Sequence, residues 1–257
     1  MQQRAVADRR TEPLSSDVPS SLGRFSNDWL SARYHFSFSG YHDPSRLGIG
    51  PLLVWNDDTI APKQGFDLHG HRDMEIITYV RKGAITHRDH LGNEGRTEAG
   101  DVQVMSAGRG IQHAEFNLES SETQLYQIWI APRDKAVAPR WETRRFPQQD
   151  RNGTLVALAS GRAADLETGA LPIHQDAALL GATLAQGTDT SHLLGRSRQA
   201  YLVVSTGQLE VTDQAGQVVT LGARDGAGIG DSQTVGLRAV ENSEILLADL
   251  PGGPSYR

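Results

Sequence analysis

Hydrophobic and polar residues alternate along short segments of this chain, and turn residues separate those segments. Residues 84–87 read Ala-Ile-Thr-His, and residues 208–211 read Gln-Leu-Glu-Val. A period of two is typical of β-strands, because successive side chains point to opposite faces of a sheet. Together with 27 glycines and 11 prolines in 257 residues, the pattern predicts an all-β protein of short strands and tight turns.

The alternating pattern also repeats itself at an offset of 124 residues. The matched positions are Val80, Gly83, Ile85, Asp89, Gly92 and Asp101 in the first copy, and Val204, Gly207, Leu209, Asp213, Gly216 and Asp225 in the second. Glycines at these places predict hairpin turns at 91–93 and 214–216. A repeated supersecondary unit of this length predicts two tandem β-barrels of the same kind.

The repeat predicts the organisation of the whole chain. Residues 1–22 are polar without apolar periodicity, and we expect a flexible leader there. Residues 23–139 are predicted to form the first barrel and 178–257 the second. The segment 140–177 between them is expected to be a linker with one strand at 154–159 and a helical turn.

Bulk properties exclude several classes of function. The formal net charge is −6 and the basic residues form no block, which argues against direct nucleic-acid binding. No apolar run is long enough to cross a bilayer, and the N-terminus lacks the apolar core of a secretory signal, so a cytoplasmic location is expected. Since the chain has no cysteine, any metal must be held by nitrogen and oxygen donors.

Two pairs of residues at i, i+2 spacing carry the chemistry. His69 and His71 form one pair, and His113 and Glu115 form the other. Members of such a pair point to the same side of a strand, so two neighbouring strands would present three imidazoles and one carboxylate to a common point. This donor set suits a divalent transition metal.

The second copy of the repeat lacks these donors. A shift of 124 residues leads to Leu193, Gly195, Leu237 and Ala239. A slip of one or two residues would bring in His192, which is a single donor and not a site. The metal is therefore expected in the first barrel alone.

The surroundings of both pairs have the pattern of the two cupin motifs. Residues 65–83 match the first motif and residues 100–117 match the second, with Ser106 in place of its usual proline. Of the other polar residues, His87 and His90 are expected to be solvated beside a turn, and His174 to be structural. Trp129 and Trp141 are expected to pack in the core. His35 and Phe36 would either line the metal pocket or cap an open barrel end.

The chain resembles the pirins, a bicupin family, most strongly over residues 25–145. The segments that carry the resemblance are 35–38, 43–44, 56–58, 69–76, 103–108, 110–111, 113–117 and 125–130. Residues 173–176 are also similar to bacterial pirins. The resemblance implies one metal per chain, usually taken to be Fe(II), in the N-terminal cupin, with Ni, Cu, Mn, Co or Zn as alternatives. Its ligands would be His69, His71, His113 and Glu115, and Glu75, a ligand in many other cupins, would not be one.

The resemblance implies an activity as well. Several bacterial and animal pirins have quercetin 2,3-dioxygenase activity, so a flavonol and O2 are the expected substrates, with ring opening and release of CO. Glu115 is the candidate catalytic base for the flavonol 3-hydroxyl. The expected cavity wall consists of Phe36, Phe66, Met74, Ile111 and Phe116.

Other pirins are described as regulators, which leaves two further hypotheses. One is a non-enzymatic, iron-dependent regulator with a protein partner. The other is an isomerase or storage-type cupin whose metal is structural.

Overall fold

Strands make up nearly all the regular structure of the computed structural model, which describes residues 15–17, 22–230 and 233–253. Over these residues there are one short α-helix, Ala163–Glu167, and one 3-10 helix, Gln148–Arg151. No helix in the described part of the chain is long and apolar enough to span a bilayer. The prediction of an all-β protein is confirmed.

The strands form four sheets. In chain order they are β1 (Ser15–Asp17), β2 (Gly23–Ser26), β3 (Leu30–Tyr34), β4 (Leu52–Ile60), β5 (Gly65–His71), β6 (Glu75–Lys82), β7 (Ala84–Asp89), β8 (Glu94–Glu98), β9 (Val102–Ser106), β10 (Ile111–Phe116), β11 (Thr123–Ile130), β12 (Arg140–Arg144), β13 (Val156–Ser160), β14 (Leu171–Pro172), β15 (Ala178–Leu184), β16 (Asp189–Leu193), β17 (Arg198–Thr206), β18 (Gln208–Thr212), β19 (Val218–Gly222), β20 (Gly226–Ile229), β21 (Thr234–Ala239) and β22 (Ser243–Pro251). The first half has a seven-stranded sheet, β12-β9-β6-β11-β4-β3-β2, and a four-stranded sheet, β5-β10-β7-β8. The second half has the sheets β1-β20-β17-β22-β15-β13-β14 and β16-β21-β18-β19. Each half is a jelly-roll of two sheets, and the bicupin prediction is confirmed.

The sheet orders confirm the internal repeat strand by strand. Strands β9, β6, β11 and β4 occupy the same order in the first half as β20, β17, β22 and β15 in the second. The Val80 backbone N–H donates to Asp101 at 3.3 Å, and the Val204 N–H donates to Asp225 at 3.0 Å. The predicted glycine turns are present, since Gly92 and Gly216 have φ angles of 91° and 83°, which other residues rarely adopt.

Cross-strand pairing shows what replaces the metal-site residues in the second half. Between β10 and β7 of the first half Glu115 pairs with His87, and between β21 and β18 of the second half Leu237 pairs with Val211. At the edge strands, His113 pairs with His69 and Val235 pairs with His192. The register therefore slips relative to the sequence repeat, and His192 takes the place of His69. It is a single donor, as expected. Both groups of candidate metal ligands among the described residues lie in the first half.

Two expectations about segments differ from the structure. The predicted leader, 1–22, is described only at 15–17 and Leu22, and Ser15–Asp17 form strand β1, which pairs with β20 of the second half. The predicted linker, 140–177, is not separate from the two halves. Its strand β12 pairs with β9 of the first half, and β13 pairs with β15 of the second. The segment thus adds strands to the large sheets of both halves, and sequence periodicity alone did not predict which strands they would pair with.

The two seven-stranded sheets pack against each other through a shared core. Its buried side chains include Trp55, Tyr79 and Tyr126 from the first half, and Tyr201, Val203 and Leu246 from the second. The Trp55 ring lies 5.7 Å from the rings of both Tyr126 and Tyr201, measured between centroids. Large aromatic and aliphatic side chains from both halves are therefore buried in one continuous core.

Polar contacts bridge the halves around this core. Asp57, fully buried, accepts hydrogen bonds from Arg81 of the first half and Arg224 of the second. His35 Nδ1 lies 2.8 Å from the Tyr201 hydroxyl. His35 is fully buried and does not line the cavity described below, so it neither contributes to the pocket nor caps an open end.

Candidate metal centre

Three predicted ligands meet on adjacent strands of the small sheet. His69 and His71 lie on β5, and His113 lies on β10 directly opposite His69. The ring centroids are 4.5 Å apart for His69–His113, 4.8 Å for His69–His71 and 5.0 Å for His71–His113. One ring nitrogen from each lies within 4.8 Å of the others. These residues are called the histidine trio below.

Glu115 lies deeper, behind a break in strand pairing. The register of β10 against β5 shifts between His113 and Glu115, so that Glu115 lies opposite Phe66. Its carboxylate forms a second group of candidate ligands with His113 and His87, and His113 is common to both groups. Two amides hold the carboxylate in place. Gln103 Nε2 donates to Oε1 at 2.5 Å, and Gln127 Nε2 donates to Oε2 at 2.8 Å.

Hydrogen bonds indicate which ring nitrogen is free in two of the three histidines, His69 and His113. His69 Nδ1 lies 2.7 Å from the Asp67 carbonyl oxygen, which can only accept, so Nδ1 carries the proton and Nε2 keeps its lone pair.

A chain of hydrogen bonds does the same for His113. Asp89 Oδ2 lies 3.0 Å from His87 Nε2, and His87 Nδ1 lies 3.3 Å from His113 Nδ1. The Asp89 carboxylate accepts from His87 Nε2–H, which leaves His87 Nδ1 as an acceptor. His113 then donates through Nδ1–H and keeps its lone pair on Nε2.

Burial keeps the imidazoles of His71 and His113 neutral. For His71, desolvation and the neighbouring His113 and His69 lower the pKa to about 3. For His113, desolvation and the neighbouring His69 and His87 also lower the pKa to about 3. Burial raises the pKa of Glu115, against the effect of the two histidines and two amides around it. Neutral imidazole is the form that binds a metal, so His71 and His113 need no deprotonation at neutral pH.

The donors present fit a divalent transition metal. His113 Nε2 is buried and has no hydrogen-bond partner within the described part of the chain, which is costly for a polar atom unless a ligand satisfies it. A ring nitrogen of His113 lies within 4.8 Å of ring nitrogens of His69 and His71, and His113 also lies within that distance of the Glu115 carboxylate. Imidazole suits Fe, Zn, Cu and Ni, and hydrogen bonds to the far nitrogens are the usual support of histidine ligands.

His87 corrects the sequence analysis, which expected it in solvent. It is fully buried, and its ring stacks on Trp141 with a centroid distance of 4.7 Å and an interplanar angle of 7°. His90 is exposed, as expected. Trp141 therefore packs as predicted, both against a histidine of the site and against the apolar cluster of Ile76, Met105, Ala107 and Ile111.

Glu75 belongs to neither group of candidate ligands within the described residues. Its side chain is buried, and Ser106 Oγ donates to its Oε2 at 2.7 Å. The serine that stands in place of the usual motif proline thus binds the glutamate that is a ligand in many other cupins. Burial raises the pKa of Glu75, and Ser106 and the nearby His174 oppose that effect.

A cavity of about 440 Å³ opens beside His69 and His71, between the small sheet and the seven-stranded sheet of the first half. Its lining consists of Trp29, Leu30, Tyr34, Phe38, Asn56, Asp58, Gly65, Phe66, Asp67, His69, His71, Gln127 and Trp129. Of the predicted wall residues, Phe66 does line the cavity. Phe36 lies in the shared core instead, Ile111 and Met74 pack in a separate cluster, and Phe116 is not part of the lining.

The cavity wall consists mainly of aromatic side chains, and most of them were not predicted from the sequence. Trp129, expected to be a packing residue, lies edge-on to His71 with a centroid distance of 5.0 Å, and its Nε1 donates to Gln127 at 3.1 Å. Phe38 packs edge-on against Trp129 at 5.4 Å, and Trp29 against Phe66 at 5.3 Å. These residues lie on four different segments, which only the folded chain brings together.

Two family models and several curated relatives match most of this chain. The family model described as Pirin matches residues 16–130, and the model described as Quercetinase C-terminal cupin domain matches residues 157–250. A pirin-like protein of Caulobacter vibrioides is 54% identical over 89% of this chain and 95% of its own length. A protein of Escherichia coli K12 named quercetin 2,3-dioxygenase is 38% identical over 89% of this chain and 95% of its own length.

A solved structure supports the same assignment. The bacterial pirin YhhW of Escherichia coli, in complex with nickel(II), superimposes with a TM-score of 0.86 at 36% identity, covering 93% of this chain and all 100% of its own. A quercetin 2,3-dioxygenase of Acinetobacter baumannii, at 22% identity and a TM-score of 0.72, shares the fold.

Proposed function

Since the chain belongs to the pirin family of bicupins, we propose that it is a metal-dependent dioxygenase that cleaves flavonols such as quercetin. The observation that carries the proposal is a trio of histidines at the wall of a cavity lined by aromatic rings. Relatives named quercetin 2,3-dioxygenase support the substrate class and the requirement for O2. In the overall reaction both atoms of O2 enter the product, the bonds from C3 to C2 and C4 break, and C3 leaves as carbon monoxide.

His69, His71, His113 and Glu115 would hold the metal. When bound, a divalent transition metal would supply Lewis acidity that lowers the pKa of a coordinated hydroxyl. Fe(II) is our first choice, and Ni, Cu, Mn, Co and Zn share the same donor preference. The nickel(II) complex of the bacterial pirin supports a transition metal in this fold.

Glu115 would act as the base that accepts the 3-hydroxyl proton. Its buried carboxylate has a raised pKa, which makes it a stronger proton acceptor than a solvated glutamate. The amides of Gln103 and Gln127 fix both of its oxygens and can rotate little, because each is itself buried. The aromatic wall would hold a flat ligand and exclude water from the reacting ring.

Activity of metal-loaded protein tests this proposal. The protein is loaded with metal under nitrogen and then exposed to air with the flavonol. The flavonol absorption band should bleach, and one molecule of carbon monoxide should be released for each flavonol consumed. His69→Ala and His113→Ala should abolish metal binding and bleaching together, whereas His90→Ala, an exposed histidine of the neighbouring turn, should change neither.

The Glu115→Gln variant tests the base. It should retain a measurable amount of metal and lose most of its turnover. Equal rates at equal metal content would contradict the assignment. Full metal occupancy without turnover of any flavonol by the wild type would contradict the dioxygenase proposal and favour a regulator.

A further inference from the structure

Two buried polar atoms in the cavity wall have no hydrogen-bond partner among the residues that the structure describes. They are Asn56 Oδ1 and Asp58 Oδ1, and the two residues are only 3% and 2% exposed. Buried polar atoms are nearly always hydrogen-bonded, because an unsatisfied one costs free energy. Both residues line the cavity beside the histidine trio. A ligand in this cavity is therefore the available source of partners.

The alternation of strand β4 explains why both face the cavity. Asn56 and Asp58 are two residues apart and lie on one face of the strand, while Trp55 and Asp57 point to the shared core and to Arg224 of the second half. Asn56 lies opposite Gln127, whose amide donates to Glu115. A row of polar groups thus extends from the Glu115 carboxylate along the cavity wall.

The rest of that wall is mostly aromatic and aliphatic, with Trp29, Leu30, Phe38, Phe66 and Trp129 as its apolar members. A flat aromatic ligand would satisfy this surface but would leave Asn56 and Asp58 unpaired unless it carried hydroxyl groups. We propose that Asn56 and Asp58 form a subsite that recognises hydroxyl groups of the flavonol other than its 3-hydroxyl. The subsite rests on the proposed function for its ligand class, and it predicts that polyhydroxylated flavonols are preferred.

The chemistry of both side chains suits a hydroxyl. The Asn56 amide offers one acceptor and two donors, and a carboxyl group offers an acceptor oxygen whether or not it is protonated. Burial and the negative charges of Asp57 and Glu115 raise the pKa of Asp58 to about 8. Recognition by the acceptor oxygen holds in either state, and the protonated form adds a donor.

Binding of two flavonols with the same chelating oxygens tests the subsite. Quercetin and 3-hydroxyflavone share the 3-hydroxyl and 4-carbonyl, but 3-hydroxyflavone lacks every other hydroxyl. Dissociation constants are measured under nitrogen with metal-loaded full-length protein. Quercetin should bind the wild type about 10- to 100-fold more tightly, because one or two hydrogen bonds to otherwise unpaired buried groups are at stake.

Matched variants assign that preference to the subsite. Asp58→Leu and Asn56→Val should each reduce the ratio of the two dissociation constants by about tenfold and change 3-hydroxyflavone binding by less than about threefold. Asp58→Asn, which keeps a polar group of the same shape, should keep most of the preference. Metal content and the denaturation midpoint of each variant establish that it is folded.

The outcomes separate the subsite from the proposed function. Equal affinity of the wild type for both flavonols, or a ratio unchanged in folded Asp58→Leu and Asn56→Val, would overturn the subsite even if turnover is present. Preserved discrimination without aerobic turnover would overturn the dioxygenase and leave the subsite standing. If the wild type binds neither flavonol, both fall.

Discussion

We predict that His87 strengthens metal binding through its hydrogen bond to His113, without itself being a ligand. The hydrogen-bond chain Asp89–His87–His113 directs the His113 proton to Nδ1 and leaves Nε2 for the metal. His87→Phe keeps a flat ring for stacking on Trp141 but removes both hydrogen bonds. His113 Nδ1–H then loses its acceptor inside the protein, and the tautomer with the proton on Nε2 becomes competitive.

The expected magnitude follows from that lost acceptor. An unsatisfied buried donor costs about 1–3 kcal/mol, and about 1.4 kcal/mol corresponds to a tenfold change in affinity. Because the His87–His113 distance of 3.3 Å is long for a hydrogen bond, we expect the lower part of this range, about a tenfold weaker metal affinity. Loss of an outer hydrogen bond to a histidine ligand typically costs about 10- to 100-fold, in agreement.

Competition with a chromophoric chelator for Zn(II) or Ni(II) at constant pH measures this effect. His90→Phe on the same hairpin is the control, because His90 is exposed and lies outside both groups of candidate ligands among the described residues. Folded His87→Phe with wild-type affinity would refute the tautomer argument. A loss as large as that of His113→Ala would instead identify His87 as a direct ligand, which its group with His113 and Glu115 would permit.

Two further predictions concern stability. The pKa of buried His35 is lowered to about 3 against 6.5, so from pH 7 to pH 4 the unfolded chain takes up a proton that the folded one does not. The free energy of unfolding should fall by about 3 kcal/mol from this residue, and urea titrations of His35→Gln should show that much less acid sensitivity; parallel curves would contradict the assignment. Trp55→Ala should cost about 3–5 kcal/mol, with a single transition for both halves, whereas exposed Phe25→Ala should cost under about 0.5 kcal/mol. Separate transitions of the two halves would refute the shared core.

The sequence predicted the parts of this molecule that depend on local spacing. Alternation gave the strands, and the glycine pattern gave the turns at Gly92 and Gly216. The i, i+2 spacing placed His69 and His71 on one side of β5, next to His113. These predictions succeeded because strand geometry fixes which side chains share a face.

His87 was missed although the sequence held a usable signal. Its partner in the repeat is Val211, which is fully buried in the second half. A position that is apolar and buried in one copy faces the interior of the other copy as well, so the histidine there had to point inward. Proximity to the turn at Gly92 gave the opposite and incorrect impression.

The cavity wall could not be predicted, because it depends on contacts between distant segments. Trp29, Phe38 and Trp129 are brought together by sheet pairing and by the loop between β3 and β4. Likewise, nothing local shows that Arg224 of the second half binds Asp57 and so leaves Asn56 and Asp58 for the cavity. Which side chains face the cavity can be known only once the packing of the two halves is known.

The two faces of strand β4 lie in different environments, the cavity on one side and the contact with the second half on the other. Its even-numbered residues Asn56 and Asp58 face the cavity, and its odd-numbered residues Trp55 and Asp57 face the other half. A shift of one residue would exchange these faces completely, placing an indole beside the histidines and an amide in the aromatic contact. Insertions and deletions in Leu52–Ile60 should therefore be far less tolerated over evolutionary time than substitutions, even in lineages where the substrate has changed.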